Sequence, residues 1–138
     1  MAKYVFKAAY ALINSVDLSN DIKSCSINFD VAEVDQTAMG DTFTNMMPGT
    51  LKGATVDIEF YQDFAASQVD VTLASLLGVS TAVHFRASTA SLGATNPKWA
   101  GNMMMTKYVP AQGSVGDAAM ASAHFVCVDG TGLVRATS

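Results

Sequence analysis

The chain has 138 residues, half of them hydrophobic and only 14% charged, with a formal net charge of −4. An average soluble domain carries about 25% charged residues, so a surface this poor in charge points to burial against other protein. Lys and Arg are scattered without a basic stripe, which excludes a tight grip on phosphates, and no apolar run reaches the length of a signal-peptide core or a membrane span.

The length fits one domain over residues 1–138. Alternation of apolar and polar residues dominates it, which is the mark of half-buried strands. A first strand is predicted at Tyr10–Asn14. From Ile22 to Asp35, Cys25, Ile27, Phe29 and Val31 take one parity, while Ser24, Ser26, Asn28 and Asp30 take the other. Thr37–Gly53 then reads as a loop, with Gly40, Asp41, Asn45, Pro48, Gly49 and Gly53 joining two strands that look ready to pair. In Ala54–Gln62, Val56, Ile58 and Phe60 point inward, and Thr55, Asp57, Glu59 and Tyr61 point outward.

The period changes once. From Ala65 to Leu77, Val69, Leu73, Leu76 and Leu77 recur at helical spacing, and Gly78 supplies a stop. One apolar stripe on one helix implies a helix packed on a sheet. Further strands follow at Thr81–Ser88, Ala100–Val109, Val115–Val128 and Leu133–Arg135, with a small polar surface loop over Ser88–Lys98. The predicted fold is mainly β: an antiparallel sandwich or barrel-like domain with one flanking helix.

The residues offer little chemistry. His84 and His124 lie in strand patterns without a neighbouring ligand at metal-like spacing, and no phosphate loop, nucleophile elbow or metal-binding Cys pair is present. Asp57 and Glu59 share a strand face, but no His, Lys or Arg stands close in sequence to tune them as an acid/base pair. Cys25 and Cys127 sit inside apolar strand patterns and read as buried free thiols of a cytosolic product. No catalytic residue, metal ligand or cofactor is expected, and the chain does not read as an enzyme.

Assembly is a better fit. At about 17 residues, Thr37–Gly53 exceeds the two to five of a usual hairpin connection, and it carries Met39, Phe43, Met46, Met47 and Leu51. Such side chains must fold back on the domain or bury in a neighbour, at roughly 1.5–3 kcal/mol each when fully buried. Methionine tolerates an adjustable contact. The stretch before the first strand and the tail Gly130–Ser138 are short, apolar-centred arms that could pair along a neighbour's sheet edge, or could simply fray.

Taken in order, several runs resemble the major tail proteins of siphophages, the subunits of the tail tube. Leu12-Ile13-Asn14-Ser15-Val16-Asp17-Leu18-Ser19-Asn20 and Val34-Asp35-Gln36-Thr37-Ala38-Met39-Gly40-Asp41-Thr42 are similar to the opening half of that family. Ile58-Glu59-Phe60-Tyr61-Gln62-Asp63-Phe64 with the helix Val69–Leu77 resembles its middle. Asn96-Pro97-Lys98-Trp99, Gly113-Ser114-Val115-Gly116-Asp117 and Gly132-Leu133-Val134-Arg135-Ala136-Thr137-Ser138 resemble its last half. Nearly the whole chain is covered, in order.

The resemblance implies a virion protein, assembled in the host cytoplasm, whose copies close into hexameric rings that stack into a tube. Its partners would be itself, the tape measure protein, and the tail terminator and tail tip proteins, with DNA passing through unbound and no membrane insertion. The long loop would reach the next ring through Phe43, Met46, Met47 and Leu51. Asn28, Asp30, Asp57 and Glu59 would face the lumen if their strands line it, repelling phosphates weakly but preventing sticking. Another virion structural protein, such as a capsid decoration or head–tail connector subunit, and a monomeric β-sandwich binding module are the competing expectations.

Overall fold

The alternating segments do pair. The computed structural model describes residues 9–128, 130 and 132–137, with the side chains of Thr50 and Leu51 outside that description. Its strands are β1 (Tyr10–Ile13), β2 (Val16–Asp17), β3 (Ile22–Asp35), β4 (Met46–Tyr61), β5 (Ser80–Arg86), β6 (Lys98–Gln112), β7 (Met120–Cys127) and β8 (Val134–Ala136), with the helix α1 (Val69–Ala74) between β4 and β5. All eight strands belong to one antiparallel sheet in the order β2-β1-β5-β6-β7-β4-β3, and β8 pairs with the start of β6. The fold is mainly antiparallel β with a single short helix.

The central strands send alternate side chains into one core. Val56, Ile58 and Phe60 of β4 point inward, as their parity predicts, and meet Ala121, Ala123 and Phe125 of β7, Met103 and Met105 of β6, and Val83 and Phe85 of β5. Phe60, Phe85 and Phe125 are fully buried. The sheet curls to enclose this core. β5 and β3 are separated by three strands, yet Phe85 and Ala87 line the same cavity as Cys25 and Ile27. Beneath the curl, α1 presents Val69 and Leu73 to the core.

The helix is shorter than its apolar stripe. Ser67 takes a left-handed φ of 62°, and Gln68 is extended, so the residues after Ala65 form a turn instead of a first helical turn. The turn is held by the Asp63 side chain, which accepts from the Ala65 N–H at 2.9 Å. At the other end Gly78 does stop the element: its φ is +77°, and its N–H donates to the Met105 carbonyl at 2.9 Å. Leu76 is buried and Leu77 is turned out to solvent.

The loop expected over Thr37–Gly53 is also shorter. Met46–Gly53 is strand, because those residues find backbone partners on β3: Met46 opposite Asp35, Met47 opposite Val34, Pro48 opposite Glu33 and Gly53 opposite Asp30. β7 pairs with β4 only over Thr55–Tyr61. The first half of β4 therefore has one partner strand, the setting in which a proline is tolerated. A register shift falls between Val31 and Glu33. Gly49 sits there because a Cβ would stand 2.9 Å from Ala32 Cβ. Only residues 36–45 remain as the connection.

Candidate assembly surfaces

Beyond the core, β3 and β4 continue as a two-stranded ribbon whose apolar side chains are left exposed by the described residues. The parity expected of β3 holds, with Ser24, Ser26, Asn28 and Asp30 outward. Burial along the other face fades after Ile27: Phe29 is 55% exposed, Val31 is also open, and so is Val34 beyond the register shift. The half-buried face expected of β3 thus stops short of Phe29 and Val31, since the core ends before the strand does. Met39 and Phe43 at the tip, the latter 85% exposed, and Met46 and Met47 on β4 are all solvent-facing. None of these four folds back. The Leu51 side chain and the amino-terminal arm lie outside the described residues.

The tip is nevertheless well ordered by hydrogen bonds. Asp35 Oδ1 accepts from the Thr37 N–H at 2.9 Å and from its hydroxyl at 2.6 Å, and these bonds hold the exposed Asp35 carboxyl below its ordinary range. Thr37 Oγ1 in turn accepts from the Asn45 N–H at 2.7 Å, and Gln36 N–H donates to the Asn45 carbonyl at 2.8 Å. Asp41 accepts from the Ala38 N–H at 2.8 Å. A polar loop skeleton therefore displays an apolar set of side chains.

The second surface is the polar outer face of the sheet. Register places Ser26 beside Asp57, Asp57 beside His124, and His124 beside Lys107, one row across four strands. Glu59 lies one step along, between Ser24 and Ser122. His124 Nδ1 is 2.5 Å from Asp57 Oδ1, and the Ser24 hydroxyl donates to Glu59 at 3.2 Å. Together these residues line an open depression of about 360 Å³. Asn28, Asp30, Asp57 and Glu59 thus share a face, as their parity predicts. His124 and Lys107, which accompany the carboxylates, were invisible to spacing: His124 is 67 positions from Asp57.

Cys25 and Cys127 are free and half-buried. Burial, then the charge of Asp57, pushes the Cys25 thiol up to about 11. The Cys127 thiol donates to the Ala54 carbonyl at 3.4 Å. Among the described residues of the tail, β8 pairs with its own chain's β6, and Leu133 is buried. Among the described residues, no group of three or more His, Cys, Asp or Glu is placed to hold a metal ion, and no helix is long and apolar enough to cross a membrane.

The sequence matches no protein-family model and no curated protein. The fold has solved counterparts. A chain from the tail of an empty gene transfer agent particle, refined with C6 symmetry, superposes with a TM-score of 0.64 at 14% identity, covering 86% of this chain and 82% of that one. A chain from the virion of a native gene transfer agent particle gives 0.67 at 14% identity, covering 90% and 95%. At that identity the likeness is one of fold. The fold is thus shared with a chain of a gene transfer agent tail and a chain of a gene transfer agent virion, in agreement with the resemblance to tail tube proteins read from the sequence.

Proposed function

We propose that this chain is the structural subunit of a siphophage-type tail tube, a virion protein that acts by self-assembly and not by catalysis. The observation that carries the reading is an exposed apolar ribbon on a fold shared with chains of a gene transfer agent tail and virion. An isolated domain gains nothing by displaying Phe29, Met39, Phe43, Met46 and Met47, whereas a stacked ring buries them. In this reading six copies close each ring, and Phe43, Met46, Met47 and Leu51 reach the adjacent ring. The face carrying Asn28, Asp30, Asp57 and Glu59 lines the channel, which encloses the tape measure protein during assembly and later conducts DNA.

Charge on that face suits a conduit. Lys107 offsets part of the Asp57 and Glu59 charge, so the wall is mixed and mildly acidic instead of strongly repelling. Passing phosphates meet no cluster of cations to which they would stick. The tube would end on tail terminator and tail tip proteins, with assembly in the host cytoplasm.

Sedimentation velocity over a concentration series tests the reading. The expected outcome is growth from monomer to large particles whose minimal unit is a six-copy ring. Small oligomers that never elongate would point to a connector or decoration subunit, and a monomer at every concentration to a binding module.

A further inference from the structure

β4 has an exposed apolar group at each of its ends. It begins at Met46 in the ribbon and leaves the sheet at Tyr61, beside a second set of open side chains. The row Tyr61, Met120 and Gln112 closes that end of the sheet, and Val115, fully exposed, stands in the turn that joins Gln112 to Met120. The Asp70 N–H donates to the Asp63 carbonyl at 3.1 Å, and Asp70 Oδ1 accepts from the Tyr108 hydroxyl at 2.9 Å, which fixes the start of α1 at the same end. Because α1 turns Val69 and Leu73 to the core, Val71 faces out, and Phe64, just before the helix, is also open. At about 3.3 Å per residue, the two ends of β4 stand on the order of 50 Å apart.

We propose that the ribbon tip of one copy docks on the α1 end of a copy in the next ring, Met39 and Phe43 lying against Phe64, Val71 and Val115. The inference rests on the tube reading above and names the surface that receives the ribbon. The two apolar groups stand at opposite ends of one strand, so displacement along that strand is the operation that brings them together. They are different patches of one chain, so the contact is head-to-tail and does not close on itself, which is the geometry that extends a stack. Repetition then leaves an apolar end bare only where the stack stops. The hydrogen bonds that hold the tip and the start of α1 reduce the ordering cost of docking. Charge takes no part in the attraction: Asp35 and Asp41 at the tip have the same sign as Asp63, Asp70 and Asp117 around the α1 end. The contact is therefore apolar, and a charge introduced at its centre reports the carboxylates that face it.

Thiol cross-linking tests it. Thr42 at the tip and Ala66 beside Phe64 are exposed and lie outside strands and helix. In a Cys25→Ser, Cys127→Ser background, Thr42→Cys and Ala66→Cys add one thiol to each surface and leave the apolar side chains in place. A short bis-maleimide added to the assembled protein is expected to give a ladder of dimer, trimer and higher species on a denaturing gel, whereas either cysteine alone gives nothing beyond dimer. Assembled tubes without a ladder, or with dimers alone, would overturn the docking and leave the tube reading standing. An unmodified chain that stays monomeric at every concentration would overturn both. In the native cysteine background, Val71→Glu should need a concentration for assembly about threefold above that of Val71→Lys, the scale of one exposed charge contact. Both variants lose the same apolar contact, so the carboxylates of the docked tip separate them. Equal thresholds, or the reverse order, would count against the docking.

Discussion

His124 Nδ1 and Asp57 Oδ1 meet at 2.5 Å across the β4–β7 pair, joining two residues 67 positions apart on the polar face of the sheet. In the tube reading this pair and the neighbouring Lys107 and Glu59 form a repeating belt on the channel wall. Asp57→Lys with Glu59→Lys would reverse the belt, adding two positive charges per subunit beside Lys107. Each phosphate contact on duplex DNA contributes a log–log salt slope of about 0.9, so contacts repeated along a tube accumulate quickly. Tails should assemble to normal length while DNA delivery stalls, most severely at low salt. Infection or ejection efficiency checks this, with tail length measured by microscopy. Unchanged delivery at low ionic strength would place these carboxylates elsewhere.

Met46 and Met47 are each a little over 40% exposed on the ribbon. Their replacement by Asp removes little burial within the domain, so thermal stability of the unassembled chain should change by no more than about 0.5 kcal/mol. Assembly should fail, because docking would have to desolvate two new charges. Full-length tubes from the double variant would show that the ribbon is not the stacking element.

Gly101 holds the tail in place by what it lacks. A Cβ there would overlap the Gly132 carbonyl oxygen, and Gly132 itself has a φ of +64°. Gly101→Ala should displace β8 from the edge of β6 while the core strands stay paired. Hydrogen exchange would show lost protection confined to residues 132–137 and their partners Lys98–Ala100. Uniform loss of protection would mean that β8 supports the whole sheet.

His84 carries a pH signature. Burial, then the charges of Arg86 and Lys98, holds its imidazole below the ordinary value of 6.5. In the interval below that value the unfolded chain binds a proton that the folded chain does not, so stability falls as pH drops through about 6.5. His84→Gln should flatten the unfolding midpoint against pH in that interval. A wild-type profile already flat there would contradict the assignment.

Much of this was legible in local pattern. The parity of Ile22–Asp35 gave β3 its bounds and its faces, because a strand with one wet side must alternate. The first half of β4 was hidden by Pro48, Gly49 and Gly53, which read as loop residues; pairing with β3 and the close approach at Ala32 explain their presence. The helix lost its first turn to a left-handed Ser67, which no residue type announces. The Asp57–His124 contact depends on register between distant strands, and no single-strand pattern carries that. The exposed methionines were visible as an excess, but their exposure depends on β3 and β4 running past the core, which no local pattern carries.

The central claim is that the chain builds a tube. Electron microscopy of the concentrated, purified protein tests it most directly, since image reconstruction reads subunit order, ring symmetry and lumen together. The account expects hollow tubes of stacked six-fold rings, with the β3–β4 ribbon crossing from one ring to the next and Asp57 and His124 on the inner wall. Discrete particles without a channel, or a solution of monomers at every concentration, would contradict it.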